Sequence, residues 1–135
     1  MRAARDKHRD AVTRTAFIAL GGLIGSVARY WLAGLVQRAV GAGFPAGTLT
    51  VNILGSFVIG VVMALALERG MMGENTRLLL TAGFCGGFTT MSTFSYETLA
   101  LVEAGQATLA LANVAASVIV CIGAVWVGLL VGRAV

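Results

Sequence analysis

Four long apolar segments dominate the pattern of the chain. They cover residues 15–36, 46–67, 78–101 and 107–132, with short polar or charged stretches between them. At about 1.5 Å of rise per residue, helices of this length cross the ~30 Å hydrocarbon core of a bilayer. The pattern therefore predicts an all-α membrane protein with four transmembrane helices and a transmembrane domain over residues 15–135. Residues 1–14 are predicted to be a charged N-terminal tail, with a short interfacial helix as the alternative.

The third apolar segment departs from the pattern of an ordinary membrane helix. Residues 83–97 read GFCGGFTTMSTFSYE, with adjacent glycines, a run of hydroxyls and spaced large apolar side chains. Non-helical backbone survives at membrane depth only inside protein or beside water, and transporters use such breaks to bind ions. The stretch predicts a helix broken mid-membrane. Close helix packing through small residues is the alternative, and it stays open at this point.

Polar side chains recur at a spacing of four residues on three of the segments, which places each set on one helix face. The sets are Thr48, Asn52 and Ser56; Thr89, Thr93 and Glu97; and Asn113 and Ser117. An asparagine amide exposed to lipid is costly, so Asn52 must face protein or water. An interhelical hydrogen bond is the commoner use of such an asparagine. The three-residue stripe favours the lining of a pathway.

Composition and charge support the membrane assignment. The chain is 58% hydrophobic and 12% charged, about half the charged fraction of a soluble domain. The net charge of +4 comes mainly from the tail and predicts membrane orientation rather than nucleic-acid binding. Cys85 and Cys121 lack metal-ligand spacing and are predicted to be buried small hydrophobes. No motif for enzymatic chemistry is visible, so the chain is predicted not to be an enzyme.

The chemistry of the polar groups favours a small anion as solute. Hydroxyls and amides donate hydrogen bonds without carrying charge, and aromatic ring edges are electropositive. The glutamates lie toward segment ends, whereas a cation or proton pathway normally needs a buried carboxylate. Arg29 lies toward the end of the first segment, where it either snorkels to the headgroups or attracts anions.

Four motifs together resemble the small bacterial fluoride channels, the Fluc or CrcB family, over nearly the whole chain after residue 15. They are GGLIGSVARYW, GTLTVNILGSF, GFCGGFTTMSTFSYE and NVAAS. The resemblance implies an antiparallel, dual-topology homodimer with two pores in the bacterial inner membrane. It also implies passive, selective fluoride export that protects the cell from fluoride.

The resemblance also implies roles for individual residues. Asn52 matches a fluoride-contacting amide, Phe94 an aromatic-box phenylalanine and Ser117 a pore hydroxyl. The polar track of the family corresponds to Thr48, Thr93 and Glu97, and its first-span basic residue to Arg29. Gly86 and Thr89 are implied to supply backbone carbonyls to a structural sodium ion at the dimer centre.

The chain departs from the family pattern in three respects. Met91 stands where the family has its first box phenylalanine, so a polarizable thioether replaces a ring. Asn113 stands where some relatives carry tyrosine. Eight basic residues fall on the predicted side of the N-terminus against Arg38 on the other, which predicts an inside N-terminus, although an antiparallel homodimer needs both orientations. A partner chain of opposite orientation is the alternative to the homodimer.

Two other functions are consistent with a four-span chain of this size. A small multidrug-type exporter couples efflux to protons through a glutamate in its first span. Residues 15–36 contain no acid, which counts against this function. A non-transporting membrane scaffold would use the polar stripes as contacts between helices. Fluoride flux through the purified protein distinguishes both from a channel.

Overall fold

A computed structural model of the chain describes the backbone of residues 2–135 and the side chains from Lys7 onward. Within those residues the protein is all helical, without strands. Helix α1 is Arg2–Val40, and α2 is Ala46–Met63 with a π-helical continuation, Ala64–Glu68. Helix α3 begins as Glu74–Leu78, continues as the π-helical Leu79–Cys85 and ends with Gly86–Phe88. Helices α4 and α5 are Met91–Glu103 and Ala107–Ala134.

Three of these helices are long and apolar enough to cross a membrane: Lys7–Val40, Ala46–Glu68 and Ala107–Ala134. They correspond to the first, second and fourth predicted spans. The structure thus supports a membrane protein with several long apolar helices. The third predicted span is instead shared between α3 and α4, neither of which reaches that length alone.

The first helix is longer than predicted. The charged residues that the sequence assigns to a tail continue α1 without interruption as far as Arg2. Residues 2–14 include alanine, arginine and lysine, which are good helix formers, and they include no glycine or proline. The charge of the segment predicts that it is exposed, and residues 7–16 are exposed in the structure.

Helices α3 and α4 are separated by two extended residues. Thr89 has φ −91° and ψ 159°, and Thr90 has φ −150° and ψ 114°. Adjacent glycines weaken the end of α3, and β-branched threonines favour extended backbone. Thr90 then caps α4, because its hydroxyl accepts a hydrogen bond from the Thr93 N–H at 3.2 Å. The interruption therefore has local causes on both sides.

Close helix packing is achieved through glycines. A Cβ at Gly25 of α1 would overlap the carbonyl of Phe84 in α3, and one at Gly128 of α5 would overlap the carbonyl of Phe57 in α2. Helices associate in lipid largely through such close van der Waals contact. Gly25 therefore lets α1 pack closely against α3, and Gly128 lets α5 pack closely against α2.

We expect Gly128→Ala to destabilise the folded protein by about 1–3 kcal/mol, the usual cost of overpacking. The matched control is Gly123→Ala on the same helix, where an added Cβ meets nothing within 4 Å. Thermal unfolding in detergent measures both variants. Equal melting temperatures for the two would contradict the packing described here.

Ion pairs join the helices at the end of the protein that contains the charged part of α1. Arg14 contacts Glu74 at 3.0 Å, and Arg133 forms a bidentate pair with Glu68 at 2.7 and 2.8 Å. Arg69 also donates to the carbonyl of Arg133 at 2.7 Å. Exposed pairs of this kind are screened by solvent and contribute little to stability. They link α1 to the start of α3 and the end of α2 to the end of α5.

Candidate functional site

A cavity of about 500 Å³ opens where α2, α3, α4 and α5 meet beside the interruption. We call it the Asn52 cavity. Six of the residues singled out from the sequence line it: Asn52, Met91, Phe94, Ser117, Gly86 and Thr89. Ser56 and both cysteines line it as well. One cavity therefore gathers predicted site residues from three separate apolar segments.

The Asn52 side chain bridges α2 to the interruption. Its Oδ1 accepts from the Thr90 N–H at 2.8 Å, and its Nδ2 donates to the Thr90 carbonyl at 3.2 Å. The Thr90 N–H can only donate, so it fixes which side of the amide is the oxygen. An amide nitrogen has two donors, and one is used here. The second N–H is left available for a ligand in the cavity that Asn52 lines.

Ser117 supplies a second donor to the same cavity. Its Oγ is buried and has no hydrogen-bond partner among the described residues. A buried hydroxyl without a partner costs about 1–3 kcal/mol, which a bound ligand or water would recover. The α5 side of the cavity therefore carries one hydroxyl that no described residue engages.

Phe94 and Met91 contribute apolar surface with different exposure. Phe94 is 8% exposed, whereas Met91 is 71% exposed at the edge of the cavity. They lie three residues apart on the first turn of α4, so both side chains point to one region. The cavity therefore has one aromatic ring, from Phe94. The flexible thioether of Met91 stands where the family resemblance implies a second ring.

The interruption also leaves two backbone carbonyls without hydrogen bonds. In a continuous helix the carbonyl of Gly86 would accept from the Thr90 N–H, and that of Thr89 from the Thr93 N–H. The first N–H instead donates to Asn52 and the second to the Thr90 hydroxyl. Within residues 2–135 no donor reaches either carbonyl. These are the two carbonyls that the family resemblance assigns to sodium.

A second cavity, of about 390 Å³, lies on the other side of the interruption. We call it the Arg29 cavity, and it is lined by the remaining polar-track residues Thr48, Thr93 and Glu97 together with Arg29. Thr48 donates to Glu97 Oε1 at 3.0 Å, and the other carboxylate oxygen, Oε2, is buried without a described partner.

Arg29 is bound to the interruption. Its Nε donates to the carbonyl of Gly87 at 2.9 Å, and the residue is half-buried. This carbonyl belongs to the last turn of α3 and would otherwise lack a donor, as helix ends do. A guanidinium has five N–H donors, so the remaining ones can still face the Arg29 cavity.

Thr90 is shared between the two cavities, since it lines both. Its hydroxyl is held by Thr93, to which it donates at 3.0 Å. Thr90 therefore lies at the boundary between the two cavities. Sequence reasoning noted Thr90 only as one hydroxyl in a run. The useful signal was its position three residues before Thr93, which is the spacing of a helix N-cap.

Asn113 is the exception among the predicted site residues, because it lines neither cavity. It is 1% exposed and donates from Nδ2 to Thr98 Oγ1 at 2.9 Å. Thr98 was not singled out from the sequence. Spacing placed Asn113 on the same face as Ser117, but one turn away the neighbour on that face is α4.

The similarity of the chain to known proteins shows its family. The family model described as "CrcB-like protein, Camphor Resistance (CrcB)" matches residues 16–129. The chain belongs to the CrcB family. The match covers every residue that lines the Asn52 cavity.

Several CrcB-family proteins are similar over nearly their full length, and each is named "Fluoride-specific ion channel FluC". That of Geobacter metallireducens is 51% identical, covering 86% of this chain and 94% of the relative. That of Geobacter sulfurreducens is 49% identical, covering 90% and 98%. The Magnetococcus marinus protein is 49% identical, covering 87% and 96%. The family resemblance given by the sequence motifs is thereby confirmed.

Proposed function

We propose that this chain is an ion channel, and not an enzyme, which lets fluoride cross the bacterial inner membrane passively and so protects the cell from it. The observation that carries the proposal is the Asn52 cavity. There an amide N–H and the buried Ser117 hydroxyl stand unpaired beside an interrupted helix. The names of the similar CrcB-family proteins support the choice of ion.

The donor set suits a small anion that must shed its water. Neutral N–H and O–H groups can replace water molecules around fluoride without binding it so tightly that it cannot leave. The Phe94 ring adds an electropositive edge on the same cavity. Thr90 and Thr93 continue the donors toward the Arg29 cavity, where the guanidinium attracts anions. We propose a pathway from one cavity to the other past Thr90, at the depth of the membrane.

Two copies of the chain in antiparallel orientation are part of the proposal. Met91 is 71% exposed although it lines the Asn52 cavity, so a second chain would complete the wall on that side. Exposed apolar side chains such as Trp31 and Ile119 leave surface for both lipid and a partner. Labelling the N-terminal end of α1 from one side of intact cells, or from both, tests the arrangement. Labelling from one side only would contradict an antiparallel homodimer.

A structural sodium ion fits the same region. Sodium is a hard cation that takes oxygen ligands, and the carbonyls of Gly86 and Thr89 are free to serve. The described residues contain no cluster of acidic, cysteine or histidine side chains that could hold a metal ion, so backbone oxygen is the fitting donor. The ion would supply a fixed positive charge beside the interruption.

We expect sodium to raise the melting temperature of the purified protein relative to N-methylglucamine at equal ionic strength. A ligand that binds only the folded state stabilises it by mass action, about 2.7 kcal/mol at a hundred times its dissociation constant. Chloride is kept constant in both buffers as the control for anion effects. Identical melting curves would remove sodium from the proposal.

Efflux from liposomes tests the function itself. Vesicles loaded with fluoride should lose it through the reconstituted protein when a potassium ionophore balances charge, without any pH gradient. Efflux that requires a proton gradient would favour the multidrug-type exporter. Efflux equal to that of empty vesicles would favour the scaffold.

A further inference from the structure

We infer that Asn113 is a positioning residue, which acts on conduction by holding Phe94 in place through Thr98 and does not itself contact the ion. The inference rests on the proposed function. Its evidence is a chain of two hydrogen bonds that leads from α5 to the ring-bearing turn of α4.

The first link joins the two helices. Asn113, which is 1% exposed, donates from Nδ2 to Thr98 Oγ1 at 2.9 Å. Among the residues whose side chains are described, this is the one side-chain hydrogen bond between α4 and α5. Buried amides are retained where they have partners, because an unpaired one is costly.

The second link leads to the pathway. Thr98 Oγ1 donates to the carbonyl of Phe94 at 2.7 Å. A hydroxyl has one proton and can accept two hydrogen bonds, so donation to Phe94 leaves Oγ1 free to accept from Asn113. Both bonds are therefore satisfied at the same time, and the direction of each is fixed.

The consequence concerns how α4 is held. The interruption separates α4 from α3, so its placement depends on contacts with other helices. Asn52 holds Thr90 at its start, and Thr48 holds Glu97. Both of these contacts come from α2. The Asn113–Thr98 link is the matching contact from α5, and it attaches at the carbonyl of the residue whose ring lines the Asn52 cavity.

The test measures fluoride efflux from liposomes for Thr98→Val and for the conservative Thr98→Ser, which retains the hydroxyl. We expect Thr98→Val to be about tenfold slower than wild type, because without the hydroxyl neither Asn113 nor the carbonyl of Phe94 keeps its hydrogen bond to this side chain. Thr98→Ser should restore most of the rate. Valine has nearly the shape of threonine, so Thr98→Val removes the hydroxyl and changes little else.

Coupling to Phe94 separates positioning from general damage. In a Phe94→Ile background, adding Thr98→Val should change efflux by less than about twofold, since coupled residues are not additive. In a Ser117→Ala background the same substitution should still cost about tenfold. A raised protein-to-lipid ratio keeps the slow variants above the vesicle leak.

Two outcomes would overturn the inference. One is equal slowing by Thr98→Val in the Phe94→Ile and Ser117→Ala backgrounds. The other is wild-type efflux from Thr98→Val in a preparation where the wild type conducts fluoride. Absence of conduction by the wild type would instead contradict the proposed function, so the two failures are distinguishable.

Discussion

Asn52→Asp is expected to abolish fluoride efflux. A carboxylate has no N–H, so the donor to the Thr90 carbonyl and the free donor in the cavity are lost together. The new charge also repels the permeating anion. Two unit charges about 4 Å apart interact by about 4 kcal/mol at an effective dielectric constant near 20, which corresponds to roughly a thousandfold in rate.

The control for Asn52→Asp is Asn75→Asp, the same chemical change in the first turn of α3, where the residue lines neither the Asn52 cavity nor the Arg29 cavity. Efflux is measured with a fluoride electrode, and size-exclusion chromatography confirms that each variant remains assembled. Near-normal efflux through Asn52→Asp would remove this side chain from the pathway. Loss of efflux in both variants would show that added negative charge acts at a distance.

Phe94→Ile is expected to slow fluoride efflux by about tenfold or more while the protein still assembles. Isoleucine fills much of the volume of the buried ring, so the packing of α4 loses little. The substitution removes the electropositive edge of the ring. Interactions of such edges contribute about 0.5–1.5 kcal/mol in aromatic pairs, and more beside an anion that has lost its water.

Phe17→Ile is the matched control for Phe94→Ile. Phe17 is a half-buried phenylalanine of α1 that lines neither the Asn52 cavity nor the Arg29 cavity. Efflux close to that of the wild type is expected from this control. If Phe94→Ile conducts at the same rate, the ring edge has no part in fluoride passage through this protein.

The bounds of the apolar helices follow closely from the sequence. The second and fourth segments begin at the predicted residues, Ala46 and Ala107, and their ends differ by one or two positions from those predicted. Length and hydropathy suffice to predict these bounds because a helix in lipid satisfies the hydrogen bonds of its own backbone. The first helix was underestimated because charge reports exposure to water and not backbone conformation.

The faces of the site were predictable only in part, since Thr48 and Asn52 share a stripe but line different cavities, and the partners were not predictable. A spacing of four residues placed Asn52 and Ser117 on polar stripes, and both line one cavity. That Asn52 binds the backbone of Thr90 depends on the extended conformation of two threonines, which leaves that backbone without helical partners. Asn113 shows the same limit. Periodicity predicts on which face of a helix a residue lies, but it does not predict which helix packs against that face at each turn.

The reversal potential of a planar bilayer that contains the protein shows whether fluoride passes in preference to chloride. With fluoride on one side and chloride on the other, we expect the current to reverse close to the fluoride equilibrium potential, because the amide N–H of Asn52 and the hydroxyl of Ser117 replace the water shell of the smaller ion. A reversal near zero, or a current carried equally by chloride, would contradict it.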